Sequence, residues 1–167
     1  DSFGTLYGIT FGSLYTCQPD TAICTLLGSL GGSYNGLTMV PPGTLSVTSD
    51  TLVGISTGGT WYALDVVDGS VVTQQIGGYG SGYTSSGDVY SIDGIGTFAA
   101  VNKTGQSSDY LVEVSPLDGT VLNEIGPIGT LSNVWGLAGL QGRAYAFDSS
   151  GTIVQVDLDT GLTTWVM

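Results

Sequence analysis

Short runs of alternating apolar and polar residues fill the chain from end to end. The segment WYALDVVDGSVVTQQIGG (61–78) shows the pattern clearly, because two alternating runs flank an acidic turn that ends in glycine. A period of two predicts β-strands with one buried face, and Gly, Asp and Pro mark the points where strands reverse. No window of ten or more residues shows helical periodicity with capping residues. The pattern therefore predicts an all-β protein.

The hairpin of residues 61–78 has counterparts elsewhere in the chain. The four related segments are 14–32, 61–78, 111–129 and 153–166. Their equivalent turn positions are Ala22, Gly69, Gly119 and Gly161. These positions are separated by about 42 to 50 residues, a period typical of one four-stranded blade of a β-propeller. A β-sandwich also has many short strands, but it lacks a period of four strands.

Two further strands fit between consecutive hairpins, so the sequence predicts one β-propeller domain over residues 1–167. Its four units cover about 1–32, 33–78, 79–129 and 130–167. The first unit begins with GTLYGIT, which matches a second strand, so this unit lacks its inner strand and the total is fifteen strands. Four arrangements satisfy this count: a closed four-bladed ring, a dimer that completes an eight-bladed ring, a fragment of a longer chain, and an open stack that continues into the next molecule.

The stretch VDLDTGLTTW (156–165) resembles the tryptophan-docking motif of quinoprotein-type β-propellers. In that motif Ala-x-Asp-x-x-Thr-Gly is followed after three residues by Trp. Asp157, Thr160, Gly161 and Trp165 match it, and Gln155 replaces the Ala. The resemblance implies that Trp165 packs on a neighbouring blade, where a large flat ring fills the space between two sheets. An ordinary core tryptophan on an alternating strand is the alternative.

The chemistry of the quinone-dependent propellers is not expected here. The chain has no adjacent cysteine pair and only one arginine, Arg143. It has no histidine, which excludes Ser-His-Asp and Cys-His nucleophiles and histidine-based metal sites. Aspartates such as Asp65 and Asp118 lie in hairpin turns, where a carboxylate accepts hydrogen bonds from the nearby backbone. We predict no enzymatic activity, no cofactor and no metal site.

The charge of the chain excludes two classes of partner. Lys103 and Arg143 are the only basic residues, and the formal net charge is −12. Binding to nucleic acid requires clustered Lys and Arg that neutralise phosphates. No apolar run approaches the roughly 18 residues that span a bilayer. We therefore expect no nucleic-acid partner and no membrane insertion.

Two local features predict an extracellular or cell-surface location. Cys17 and Cys24 flank a turn, so antiparallel strands set them opposite each other; a disulfide is predicted, with a pair of buried free thiols as the alternative. Asn102 heads the only N-x-S/T sequon and is a predicted glycosylation site. The chain begins with Asp1 and shows no signal peptide, as expected for a processed end or a cut within a longer protein.

A glycine-rich stretch carries the candidate contact residues. The segment GGYGSGYTSSG (77–87) is expected to form a surface loop that presents Tyr79 and Tyr83 to a ligand or partner. A flexible loop without a binding role is the alternative.

Three classes of function remain. We favour a non-catalytic, extracellular structural protein that associates with itself into a filament or surface layer, because the strand count is unbalanced and propeller edges can add strands. The alternative is an adhesin- or lectin-like propeller module that binds glycans or proteins. An enzyme that uses carboxylates alone is the third class.

Overall fold

The computed structural model describes residues 1–166, which form fifteen β-strands in four antiparallel sheets. Met167, the end of the predicted fourth unit, lies outside the described residues. Blade 1 contains β1 (Leu6–Ile9), β2 (Ser13–Cys17) and β3 (Cys24–Ser29). Blade 2 contains β4 (Tyr34–Val40), β5 (Thr51–Ser56), β6 (Thr60–Val67) and β7 (Ser70–Gly78). Blade 3 contains β8 (Tyr83–Ile92), β9 (Gly96–Lys103), β10 (Asp109–Val114) and β11 (Val121–Pro127). Blade 4 contains β12 (Val134–Leu140), β13 (Arg143–Asp148), β14 (Ile153–Asp157) and β15 (Thr163–Trp165).

Each blade is a meander, in which strands that follow one another in the chain are neighbours in the sheet. The inner strands are β4, β8 and β12. Among residues 1–166 blade 1 has no inner strand, so its β1 keeps a free edge. The predicted all-β propeller of four blades, with an incomplete first blade, is confirmed.

The four equivalent hairpin turns share one backbone conformation. Ala22, Gly69, Gly119 and Gly161 have φ values of 55°, 74°, 76° and 70°. A left-handed residue costs glycine little but strains a residue with a side chain, which explains why three of the four positions are glycine. The repeated glycine therefore reflects the geometry of the turn.

Apolar side chains fill the spaces between consecutive blades in three clusters. The cluster between blades 1 and 2 includes Leu14, Leu52 and Leu64. The cluster between blades 2 and 3 includes Val53, Trp61 and Val112, and the cluster between blades 3 and 4 includes Leu111, Ala146 and Val154. Within residues 1–166 no such cluster joins blade 4 to blade 1. The series of blades is packed internally and open at its two ends.

Glycines on the inner strands let consecutive blades approach closely. A Cβ added to Gly36 would lie 2.9 Å from the carbonyl oxygen of Gly87, and one added to Gly87 would lie 2.3 Å from that of Val134. The equivalent Gly136 on β12 faces only Phe147 of its own blade, at 3.3 Å. No further inner strand within residues 1–166 packs on Gly136, which leaves space near the axis.

Candidate functional site

A cleft of about 570 Å³ opens at the end of the axis where the inner strands begin. Tyr34, Ser86 and Trp135 line it from β4, β8 and β12, and Phe11 lines it from the turn between β1 and β2. We call this space the axial cleft. It lies at the position left free by the missing inner strand of blade 1.

The walls of the axial cleft are aromatic and uncharged. Phe11 and Trp135 are 57% and 61% exposed, and their rings meet edge to face with centroids 6.5 Å apart. Asn35 donates from Nδ2 to the carbonyl of Ser85, whereas its buried Oδ1 has no partner within residues 1–166. The cleft thus offers apolar ring surface and no charged side chain among its lining residues, and such a surface suits an uncharged ligand.

Two carboxylates beside the cleft tie the inner strands together. Asp88 Oδ1 accepts hydrogen bonds from the backbone N–H of Leu37 at 3.1 Å and of Val89 at 2.9 Å. Asp109, at the start of β10, accepts from Val134 N at 2.8 Å and from Ser86 Oγ at 2.5 Å. Desolvation raises the pKa of Asp88 to about 6 and raises the pKa of Asp109 above its usual range. Both carboxylates act as cross-links between blades. Two backbone N–H groups already donate to Oδ1 of Asp88.

Each blade has two faces, and the outermost pair is open. We call the face toward the next blade in the chain the forward face and the opposite one the backward face. The forward face of blade 4 carries the apolar residues Leu140, Tyr145, Phe147 and Ile153. The backward face of blade 1 carries Leu6, Tyr15 and Leu26, with the Cys17–Cys24 disulfide beside them.

The two open faces differ from the internal faces in their exposure. Leu6 and Leu26 are 50% and 58% exposed, and Leu140 and Phe147 are 60% and 40% exposed. Apart from the contact of Phe11 with Trp135 near the axis, these ends of the blade series do not pack on each other within the described residues. Paired apolar patches of this kind are typical of surfaces that bind a protein partner.

The structure moves the predicted contact residue Tyr79 into the core. Tyr79 is 3% exposed and meets Trp61 edge to face, with ring centroids 6.0 Å apart. The prediction that Tyr79 contacts a ligand is therefore wrong. The expected loop is also shorter than 77–87, because β7 ends at Gly78 and β8 begins at Tyr83. Gly87, which the predicted loop included, lies on β8 and permits close packing against β12.

Tyr83 lies at the start of β8 and remains partly exposed. Its hydroxyl donates to Glu124 at 2.7 Å, and Glu124 also pairs with Lys103 at 2.7 Å. The hydrogen bond to this carboxylate raises the pKa of the Tyr83 hydroxyl. Contact of Tyr83 with a ligand stays a prediction, but its hydroxyl already has a partner.

The tryptophan-docking residues divide between two roles. Asp157 Oδ1 accepts from the N–H and the Oγ1–H of Thr160 at 2.9 and 2.7 Å, which stabilises the turn. Gly161 lies so close to blade 3 that an added Cβ would be 2.8 Å from the carbonyl oxygen of Ile125. Trp165, however, is 66% exposed, so the expectation that it docks on a neighbouring blade is wrong.

Trp61 makes the contact that the resemblance assigned to Trp165. It is fully buried, and an added Cβ on Gly119 of blade 3 would lie 2.5 Å from its indole ring. Trp61 lies on the third strand of its blade, on the forward face. Trp165 lies on the short outer strand β15 opposite Val154, beyond the cover of blade 3.

The predicted disulfide is confirmed, because Cys17 and Cys24 are joined across the β2–β3 hairpin. Such a bond is consistent with an oxidising compartment. Asn102 is exposed at the end of β9 and donates from Nδ2 to the carbonyl of Ser85 at 3.1 Å. Its glycosylation stays a prediction.

Two features are absent from residues 1–166, a metal-binding cluster and a membrane-spanning helix. No group of three or more acidic or cysteine side chains is placed to hold a metal ion in this part of the chain. The same residues contain no helix that could cross a membrane.

Phe11 and Trp135 are cleft residues that sequence reasoning did not select. A weak signal exists in hindsight: Trp135 precedes the inner-strand Gly136 where the other units have Asn35 and Ser86. A large ring in place of a small polar side chain marks a departure from the repeat. Phe11 has no comparable signal.

Comparison with known proteins supports the architecture alone. No protein-family model matches the chain, and no curated protein sequence is significantly similar to it. Among solved structures, the Dos1 propeller superposes on 97% of this chain and 44% of its own length with a TM-score of 0.50 and 13% identity. The WD40 propeller domain of Doa1 covers 95% of this chain and 63% of its own, with a TM-score of 0.49 and 13% identity. BamB from Moraxella catarrhalis covers 98% and 49%, with a TM-score of 0.46 and 18% identity. The chain thus spans less than two thirds of each of these structures, and the fold that it shares with the Dos1 structure is the β-propeller.

Proposed function

We propose that this protein is a non-catalytic, extracellular assembly subunit that associates with copies of itself through the two ends of its blade series. The observation that carries the proposal is the count of interblade cores, since within residues 1–166 four blades share three cores and both terminal faces are open. The propeller fold is a common framework for binding modules. The proposal makes the bound partner a second copy of the chain.

Burial of the open faces provides the driving force for association. Full burial of an exposed Leu or Phe side chain contributes about 1.5 to 3 kcal/mol, and each terminal face offers at least two such side chains. The net charge of −12 opposes association, because every copy repels every other. Salt screens this repulsion over about 10 Å at 0.1 M, so association should strengthen as salt is added.

The disulfide, the sequon and the lack of histidine support the extracellular and non-catalytic parts of the proposal. The Cys17–Cys24 bond is suited to an oxidising environment, and Asn102 heads an exposed sequon. The chain has no histidine, and backbone donors engage the partly buried Asp88 and the buried Asp109. A structural role therefore accounts for these residues without a reaction.

The proposal is tested with the untagged protein in solution. Sedimentation velocity at increasing protein and NaCl concentrations should give species of two or more chains, and electron microscopy should show rings or filaments. Growth of the assembly with salt is expected, because screening weakens the repulsion between acidic copies. A single-chain mass at every protein and salt concentration would overturn the proposal.

The axial cleft favours a second candidate function, the recognition of an uncharged saccharide. Phe11 and Trp135 offer exposed rings on which the apolar face of a sugar can stack. On an array of neutral and anionic oligosaccharides, binding should be confined to neutral ones.

The variant Trp135→Ala should lose this binding at least tenfold. Trp165→Ala is the matched control, because Trp165 is equally exposed but lies on the outer strand of blade 4. No binding by the folded protein, or equal loss in both variants, would exclude the saccharide role for the cleft.

A further inference from the structure

We propose that copies of the chain join head to tail, with the forward face of blade 4 packed on the backward face of blade 1 of the next copy. This inference rests on the proposed self-association and names its interface and polarity. The partner is a second copy of this chain, because within one chain the forward face of each blade already packs on the backward face of the next blade.

Every internal interface has the same polarity. Blade 2 packs its forward residues Val53, Ile55 and Trp61 on Val101 and Val112 of the backward face of blade 3. Blade 3 packs forward residues such as Leu111 on backward residues of blade 4 such as Val154. No core cluster among the described residues joins two forward or two backward faces. The repeat therefore provides complementary surfaces only in the forward-to-backward sense.

The register of the strands identifies the forward positions of blade 4. Ile55 pairs with Trp61 next to the turn between the second and third strands of blade 2, and Phe147 pairs with Ile153 at the same place in blade 4. Ile55 and Trp61 are fully buried by blade 3, whereas Phe147 is 40% exposed and Ile153 is partly exposed. The same positions are covered inside the chain and uncovered at its end.

The backward positions of blade 1 follow the same rule. The Leu6–Cys17 pair of blade 1 occupies the same register position as the Leu52–Leu64 pair of blade 2. Leu52 and Leu64 are 8% and 6% exposed because blade 1 covers them, whereas Leu6 is 50% exposed. Leu26, on the adjacent strand β3, is 58% exposed. Within residues 1–166 no blade covers this face of blade 1.

A contact between unlike faces leaves each copy with one face still free. The series then either closes, as two copies would in a ring of eight blades, or continues as a filament. A contact between like faces would instead stop at a dimer. The polarity of the interface can therefore be tested by blocking one face at a time.

The experiment uses the full chain with Phe147→Asp on the forward face or Leu26→Asp on the backward face. A carboxylate in the middle of an apolar contact is costly to desolvate, so each variant alone should have the mass of one chain. The equimolar mixture should form a complex of two chains and no larger species, because each variant retains the face that the other lacks. Both substituted side chains are exposed in the single chain, so folding should be preserved. Leu122→Asp, at a 62% exposed position on the outer part of blade 3, is the matched control and should assemble like the unmodified chain.

The outcomes separate this inference from the proposed function. If the unmodified chain has the mass of one chain, self-association itself fails. If it assembles and the two face variants assemble equally well, association stands and the interface assigned here is wrong. If the mixture stays at the mass of one chain although both variants are folded, the head-to-tail polarity is wrong.

Discussion

Replacement of Trp61 by alanine is expected to lower the free energy of unfolding by about 3 to 5 kcal/mol. Trp61 is fully buried between blades 2 and 3, where it contacts Tyr79 edge to face and covers Gly119. The substitution removes a large apolar surface and leaves a cavity that the rigid glycine turn of blade 3 fills poorly. Urea denaturation followed by circular dichroism measures the difference.

Trp165→Ala is the matched control for Trp61→Ala. Because Trp165 is 66% exposed, its removal should change the free energy of unfolding by less than about 1 kcal/mol. The family resemblance would give the opposite order, with Trp165 as the residue that docks one blade on the next. A larger loss in Trp165→Ala than in Trp61→Ala would therefore contradict the packing described here.

Acidification from pH 7 to pH 4.5 is expected to raise the free energy of unfolding by about 2 kcal/mol, and Asp88→Asn should remove most of this gain. In the folded chain desolvation raises the pKa of Asp88 to about 6, whereas the ordinary pKa of an aspartate is 3.8. As the pH falls through 6, the folded state takes up a proton that the unfolded state does not yet bind. The stabilisation is thus complete below the unfolded pKa and is lost as the pH rises through about 6.

The choice of variant isolates Asp88 from other carboxylates. Asparagine keeps an oxygen that can accept from Leu37 N and Val89 N but does not titrate. Asp109 contributes with the same sign because burial raises its pKa too, so a smaller gain should remain. Asp118→Asn is the control. Hydrogen bonds hold the pKa of Asp118 below its usual range, so this carboxylate should not contribute to the gain between pH 7 and pH 4.5. Identical pH profiles for Asp88→Asn and the unmodified chain would refute the assignment.

Regular features of the fold were accessible from the sequence because they depend on local chemistry. Alternation predicts strands, and the left-handed turn at Gly69, Gly119 and Gly161 favours glycine at a fixed place in each unit. The short separation of Cys17 and Cys24 across one hairpin predicted their bond. The absence of an inner strand in blade 1 followed from a count of strands along the repeat.

The surroundings of a second group of residues are set by other strands and not by neighbours in the sequence. Tyr79 and Tyr83 lie four residues apart in one glycine-rich stretch, yet the first packs on Trp61 and the second reaches Glu124. Gly87 suggested flexibility, although it permits contact between two inner strands. No local pattern distinguishes a glycine that bends from a glycine that is packed.

The alternating pattern establishes which side chains share a face, how many strands a unit has and where the chain turns, since these depend on residues a few positions apart. It does not establish which faces are covered. The apolar pairs Phe147–Ile153 and Ile55–Trp61 occupy the same register position. Blade 3 covers the second pair, whereas no blade among the described residues covers the first. Burial of a face depends on a second sheet tens of residues away, and for this reason the axial cleft and the two open faces emerged only when the blades were placed in space.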